Sequence, residues 1–216
     1  MTEETPFHQY RNSFGFYHPP HKPLRGKSFV LSISDNFDVK VKILREQSGD
    51  DHDLLNLKAD LIDIKTKKRI GYLLGSILLM EDLEDNDSFW DHCDSVSTTL
   101  EHFAAEFLKS GHSVYNLAKG GNVFYADKLE IKPQYCGKGL GIAALKRIIN
   151  FIAKEHNVIL CAMRPFPLQY AKKEQLSEEE MEELKNATNK LQAYYRKHFS
   201  LKPICKNSKH FFWCIG

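Results

Sequence analysis

The chain has 216 residues, enough for one domain with a substantial core. Apolar residues make up 42% and charged residues 27%, and 30 basic against 28 acidic side chains leave a net charge of +2. That near-balance excludes an overall field for nucleic acid or an anionic membrane, and no run approaches the ~18 apolar residues of a membrane span.

In chain order, the opening Met1–Pro6 is acidic and polar, unlike the basic start and apolar run of a secretory leader. Residues 1–36 are rich in histidine, proline and aromatics, among them Phe7, Tyr10, Phe16, Tyr17 and His21. Prolines bar a helix or central strand, and aromatics can anchor on a core, so this part reads as an arm wrapped over the domain. The domain proper is expected over residues 37–216.

Asp38–Arg45 and Leu55–Ile64 alternate apolar with polar residues, and Ile70–Met80 is more continuously apolar. These predict three strands, with Thr66-Lys67-Lys68 as the turn of an antiparallel hairpin. Glu81–Asp94 is strongly acidic and predicts a solvated loop, or a docking surface for a cationic substrate. The spacing of Val96, Leu100, Phe103, Ala104 and Phe107 predicts a helix over Ser95–Lys109, stopped by Gly111.

A strand is expected over Asn122–Lys132, ended by Pro133. Leu140, Ala144, Ile148 and Ile152 recur every four residues and predict a helix over Gly139–His156. Val158–Met163 predicts a short buried strand, broken by Pro165 and Pro167. Ser177 and Glu180 form a capping box for an amphipathic helix to Phe199, with Met181, Leu184, Leu191 and Tyr195 as its stripe. Leu201–Cys205 and His210–Ile215 predict a closing hairpin. The five cysteines, Cys93, Cys136, Cys161, Cys205 and Cys214, form no CxxC pair. They read as reduced thiols of a cytoplasmic protein, and their spacing offers no metal site.

Between strand and helix the chain reads Leu129-Glu-Ile-Lys-Pro-Gln-Tyr-Cys-Gly-Lys-Gly-Leu-Gly-Ile142. Glycines at 137, 139 and 141 permit positive φ and close backbone approach, and amides at a helix start form a site for phosphate oxygens. The spacing fits neither a Walker A loop, since Lys138 is followed by Gly139, nor GxGxxG, whose third glycine would fall on Ile142. It resembles instead the acetyl-CoA signature of the GNAT acyltransferase superfamily, Arg/Gln-x-x-Gly-x-Gly/Ala after an apolar-x-apolar strand end. Leu129-Glu130-Ile131 supplies the strand end, Gly139 and Gly141 the small positions, and Cys136 stands where the family prefers Arg or Gln. Downstream, the helix, buried strand, tyrosine-bearing helix and final hairpin follow the superfamily's order, so the likeness covers about residues 122–216. Phe199-Ser200 replaces its Gly-Phe, and its helical pair between the first two strands is missing. The segment Met163–Gln169 is similar to one in little-characterised bacterial GNAT-like proteins.

The resemblance implies a single α/β domain with a mixed, mostly antiparallel sheet flanked by helices, and a splayed parallel strand pair. It implies acetyl-CoA as cosubstrate, without metal, and transfer of its acetyl group to an unidentified small-molecule or protein amine. Backbone of Leu129 and Ile131 would pair with the pantetheine arm. The amides of Gly137, Lys138, Gly139, Leu140, Gly141 and Ile142 would hold the pyrophosphate. A lysine-like amine with a pKa near 10.4 is only about 0.04% neutral at pH 7, so a base is required. Glu130 leads for that role, with Asp127 in reserve; a salt-bridged sheet carboxylate is the plainer reading of Glu130. Tyr195 or, in another register, Tyr194 would protonate the leaving thiolate; both also read as core tyrosines. Cys136 has a second reading as a reactive thiol at a helix N-terminus. No nucleic-acid or membrane partner is implied, and such domains also pair into homodimers through terminal strands. The alternative is a GNAT-fold module that binds or regulates without turnover.

Overall fold

The computed structural model describes residues 26–47, 53–81, 83, 85–118, 120–171 and 175–215. Residues 1–25 of the expected arm, and Asp82 and Glu84 of the acidic run, lie outside them. Four antiparallel strands come first: β1 (Lys27–Ser34), β2 (Phe37–Gln47), β3 (Asp53–Asp63) and β4 (Arg69–Leu78). The end of the expected arm is thus an edge strand of the sheet. The turn from β3 to β4 is set by Asp63, whose Oδ1 accepts the amides of Lys65 at 2.9 Å and Thr66 at 3.0 Å, while Lys67 takes φ of +56°.

Helices α1 (Asn86–Val96), α2 (Thr98–Ser110) and α3 (Val114–Ala118) follow, then β5 (Asn122–Ile131), α4 (Leu140–His156), β6 (Val158–Met163), α5 (Glu178–His198), β7 (Lys202–Pro203) and β8 (Phe211–Cys214). One eight-stranded sheet runs β1-β2-β3-β4-β5-β6-β8-β7, and β5-β6 is its parallel pair. This is the mixed, helix-flanked arrangement with one parallel pair that the sequence led us to expect.

Two expectations need correction. The acidic run is not a loop throughout, because α1 begins at Asn86. Asp85 caps it, its Oδ1 accepting the Ser88 amide at 2.9 Å while the Ser88 hydroxyl accepts the Asp85 amide at 3.1 Å. An acid before an acidic first turn suits the helix dipole, which the charge count concealed. The helix expected over Ser95–Lys109 is two helices. Ser97 is extended at φ −167°, its hydroxyl accepts the Leu100 amide at 3.3 Å, and its own amide closes α1 on Cys93.

The sheet buries a core on each face. Val41, Leu57, Leu73, Phe124 and Ala126 pack against Leu145, Ile148 and Ile152 of α4. On the other face Phe103 and Phe107 meet edge to face at 5.3 Å, and Phe103 lies 5.0 Å from the Tyr125 ring. Each fully buried phenylalanine is worth about 1.5–3 kcal/mol in transfer from water. In the same layer Glu106 of α2 reaches the closing hairpin. It bonds the Ser208 hydroxyl and lies 3.1 Å from His210 Nδ1. Helix α5 differs from the others in having no buried residue. Its packed stripe runs over Leu184, Leu191 and Tyr195, while Met181, expected on it, is 50% exposed.

Candidate active site

Strands β5 and β6 pair in parallel from Asn122↔Val158 to Ala126↔Met163 and then part. At the same level β5 bulges against its other neighbour. Ala126 lies opposite Gly75 and Lys128 opposite Leu74, so Asp127 has no counterpart. Core membership gives the same result. Phe124 and Ala126, then Leu129 and Ile131, all face α4, so one extra residue is inserted between them. Gly75 makes room for the bulge, since a Cβ there would stand 2.6 Å from both the Phe124 ring and the Tyr125 carbonyl.

The parting strands open a cleft of about 650 Å³. Its walls are the outer half of β5, the glycine turn, the loop from Met163 to Gln169 and one face of α5. All the cofactor-binding positions expected from the sequence lie on it except Lys138, and so do Glu130, Tyr194 and Tyr195.

The glycine turn starts with a single 3-10 turn at Pro133–Tyr135. The Cys136 thiol donates back to the carbonyls of Ile131 at 3.4 Å and Lys132 at 3.6 Å. It therefore pins the turn to the strand end, and among the described residues no histidine bonds it. Gly137 and Gly139 take φ of +75° and +71°, where an L side chain is strained, yet a Cβ on either would meet nothing within 4 Å. The glycines are thus required by torsion, and the space before them is open. Helix α4 has no side-chain cap. Its first amides, on Leu140, Gly141 and Ile142, have no intrahelical acceptor and present the positive end of the helix dipole. The Lys138 ammonium sits 5.3 Å over the Tyr135 ring, beside this turn.

Among the acids, Glu130 is committed to neighbours. Its Oε2 accepts the Tyr72 hydroxyl at 2.8 Å and lies 3.5 Å from Lys128 Nζ, which itself sits 5.2 Å over the Tyr72 ring. Asp127 is exposed at the mouth of the cleft, and partial desolvation by the walls around it raises its pKa, with Lys128 opposing. On α5, Tyr195 turns toward the α4 core, whereas Tyr194 is 43% exposed and meets the His198 ring edge-on at 5.0 Å. Burial first, then the neighbouring Tyr194, pushes the Tyr195 phenol up to about 12. It holds its proton throughout the neutral range.

Sequence reasoning assigned no role to Tyr72, Arg164 or Phe166, yet Arg164 and Phe166 line the cleft, with the guanidinium 5.4 Å over the Phe166 ring. The local signal was the pair of prolines, Pro165 and Pro167, which forces the chain off the sheet after Met163. Among the described residues there is no cluster of three or more histidine, cysteine or acidic side chains placed for a metal. No described helix is long and apolar enough to cross a membrane.

No protein-family model matches this chain, and no curated protein does. Solved structures give distant likenesses. A mosquito arylalkylamine N-acetyltransferase like 5b is 13% identical over 73% of this chain and 74% of its own, with a TM-score of 0.43. An agmatine N-acetyltransferase in its apo form is 9% identical over 73% and 74%, at 0.42. NAA60 of Arabidopsis thaliana, in complex with a bisubstrate analogue, is 12% identical over 74% and 77%, at 0.38.

Proposed function

We propose that this protein transfers an acetyl group from acetyl-CoA to an amine by direct attack in a ternary complex. The observation that carries the reading is the conjunction at one cleft: a parallel pair that parts at a bulge, a glycine turn with open amides at one end, and a half-buried tyrosine across from it.

In this reading the pyrophosphate lies on the amides of Gly137 to Ile142, with Lys138 adding a charge-assisted contact. Pantetheine enters the gap beside Leu129 and Ile131 and pairs with backbone that β6 leaves free. A bulge turns strand N–H groups out of the ladder, and one of these polarises the thioester carbonyl as its oxygen gains charge.

Asp127 takes the base role ahead of Glu130. It stands at the bulge, open to the cleft and outside the Tyr72–Glu130–Lys128 cluster. Glu130 holds Tyr72 and Lys128 in place. The acceptor nitrogen attacks the carbonyl carbon as Asp127 receives its proton. The carbon–sulfur bond then breaks, and the Tyr195 hydroxyl protonates the departing thiolate.

Calorimetric titration with acetyl-CoA and with CoA, followed by an amine screen for released thiol, tests the reading. Micromolar binding and amine-dependent thiol release are expected. A folded protein that binds neither ligand overturns it. A second reading, a CoA-binding module without turnover, is favoured by Cys136, whose thiol faces strand carbonyls where the superfamily places an Arg or Gln anchor. Binding without thiol release for any amine selects it.

A further inference from the structure

The two faces of the sheet divide the labour at the cleft. Tyr195 and the glycine turn lie on the α4 side, where the cofactor is proposed to enter. Along β6, Met163 packs on that side and Ala162 on the opposite one. Continuing that alternation one residue puts Arg164 toward the opposite side, the face that carries Tyr125 and His210.

Arg164 and Asp127 are the first residues past the last paired rung, Ala126↔Met163. They flank the opening gap from its two strands. Among the described residues neither has a partner of opposite charge at ion-pair distance, and they do not pair with each other. The remaining charges of the cleft are accounted for. Lys128 and Glu130 pair together, and Lys190 is exposed to solvent. Arg164 is half-buried, and the Phe166 ring 5.4 Å beneath its guanidinium carries no charge to neutralise it.

A partly desolvated guanidinium without an anion is costly. Its planar fork matches a carboxylate with two parallel hydrogen bonds. We propose that the acceptor is a small molecule carrying a carboxylate beside its amine, an amino acid in chemical class, with the amine at Asp127 and the carboxylate on Arg164. The assignment rests on the acetyltransferase reading and narrows its substrate. An amine without the carboxylate leaves the guanidinium without an anion, so the site discriminates against ligands that lack this partner.

The test compares the common amino acids, each with its own carboxamide, by thiol release from acetyl-CoA. The carboxamide amine is the less basic of each pair and so has more of its neutral form, which biases intrinsic reactivity against the expected result. For at least one pair, kcat/KM should favour the amino acid about tenfold or more, the value of a charge-assisted hydrogen bond. In Arg164→Gln that preference should collapse through a rise in amino-acid KM, with acetyl-CoA affinity unchanged; Arg164→Lys should keep part of it. Thermal melts establish that both variants fold. Equal use of acids and carboxamides, a preference that survives Arg164→Gln, or turnover only of amines lacking a carboxylate overturns the proposal while the acetyltransferase reading stands. Failure to bind acetyl-CoA overturns both.

Discussion

Gly139→Val distinguishes a glycine kept for its backbone from one kept for its ligand, because the structure contains a matched control. Gly139 takes φ of +71° and Gly111, which ends α2 away from the cleft, takes φ of +72°. At both, a Cβ meets nothing within 4 Å. The left-handed conformation costs an L residue about 1–2 kcal/mol, and a β-branched one belongs at the upper end. In a domain of this size each kcal/mol lowers Tm by about 2–4 °C. Both variants should therefore melt about 4–8 °C low and remain folded at 25 °C. Only Gly139→Val places methyl groups before the amides of α4. Excluding one phosphate oxygen removes a charge-assisted hydrogen bond, which is about ten- to a hundredfold in affinity. Calorimetric titration of the three proteins with acetyl-CoA reads this directly. Unchanged affinity in Gly139→Val, or an equal loss in Gly111→Val, refutes the assignment of the turn.

Tyr195→Phe should lower kcat about a hundredfold or more with the acetyl-CoA KM nearly unchanged, and wild-type kcat should hold to about pH 10 because the phenol titrates higher; an unaltered kcat removes Tyr195 from the chemistry. Asp127→Asn should abolish the acid limb of the kcat/KM profile and cost about 10²–10⁴ in rate. Because the fold raises the Asp127 pKa, the ionised carboxylate destabilises the native state at neutral pH, and that penalty disappears as pH falls below the usual aspartate range. The asparagine variant should melt no lower than wild type at pH 7, with any advantage fading toward about pH 4; a lower Tm at pH 7 contradicts the sign. For Glu106, burial alone would raise the pKa, but the bonds to Ser208 and His210 outweigh it and the net shift is downward. Its contribution is present above the usual glutamate value and lost as pH falls through the folded one, so urea melts of Glu106→Gln should show a flatter loss of stability below about pH 5. Wild type should also lose stability as pH drops below 6.5, because burial keeps His210 neutral while the unfolded chain protonates.

The order of elements was legible where one periodicity ran uninterrupted. Leu140 to Ile152 shows four-residue spacing along the whole of α4, and the Ser177–Glu180 box marks the start of α5 to the residue. Misreadings came where a local hydrogen bond overrode a composition signal. At Asp85 a helix cap looks like one more acid in an acidic run, and at Ser97 a serine inside a good apolar period stops one helix and starts another. Helix α3 is five residues long, too short to leave a period.

The cleft itself was half legible, and the missing half has one cause. Glycine spacing can be read from a chain, because the requirement is local: φ above zero at Gly137 and Gly139. The acceptor side depends on register, which is not local. Strict alternation back from Ile131 and Leu129 puts Asp127 on their face, pointing into the α4 core. The bulge against Gly75 inserts one residue and reverses that parity, so Ala126, not Asp127, takes the core position. The reversal is set by a strand some fifty residues earlier, and nothing near Asp127 announces it. The same holds for Arg164, whose neighbours Pro165 and Pro167 show that the strand ends but not which residue it ends against. Asp127 and Arg164 become a pair only when the last rung, Ala126↔Met163, is known. A sheet that parts immediately beyond a bulge thus carries two opposite charges to the two sides of one gap, which is where the proposed substrate would bridge them.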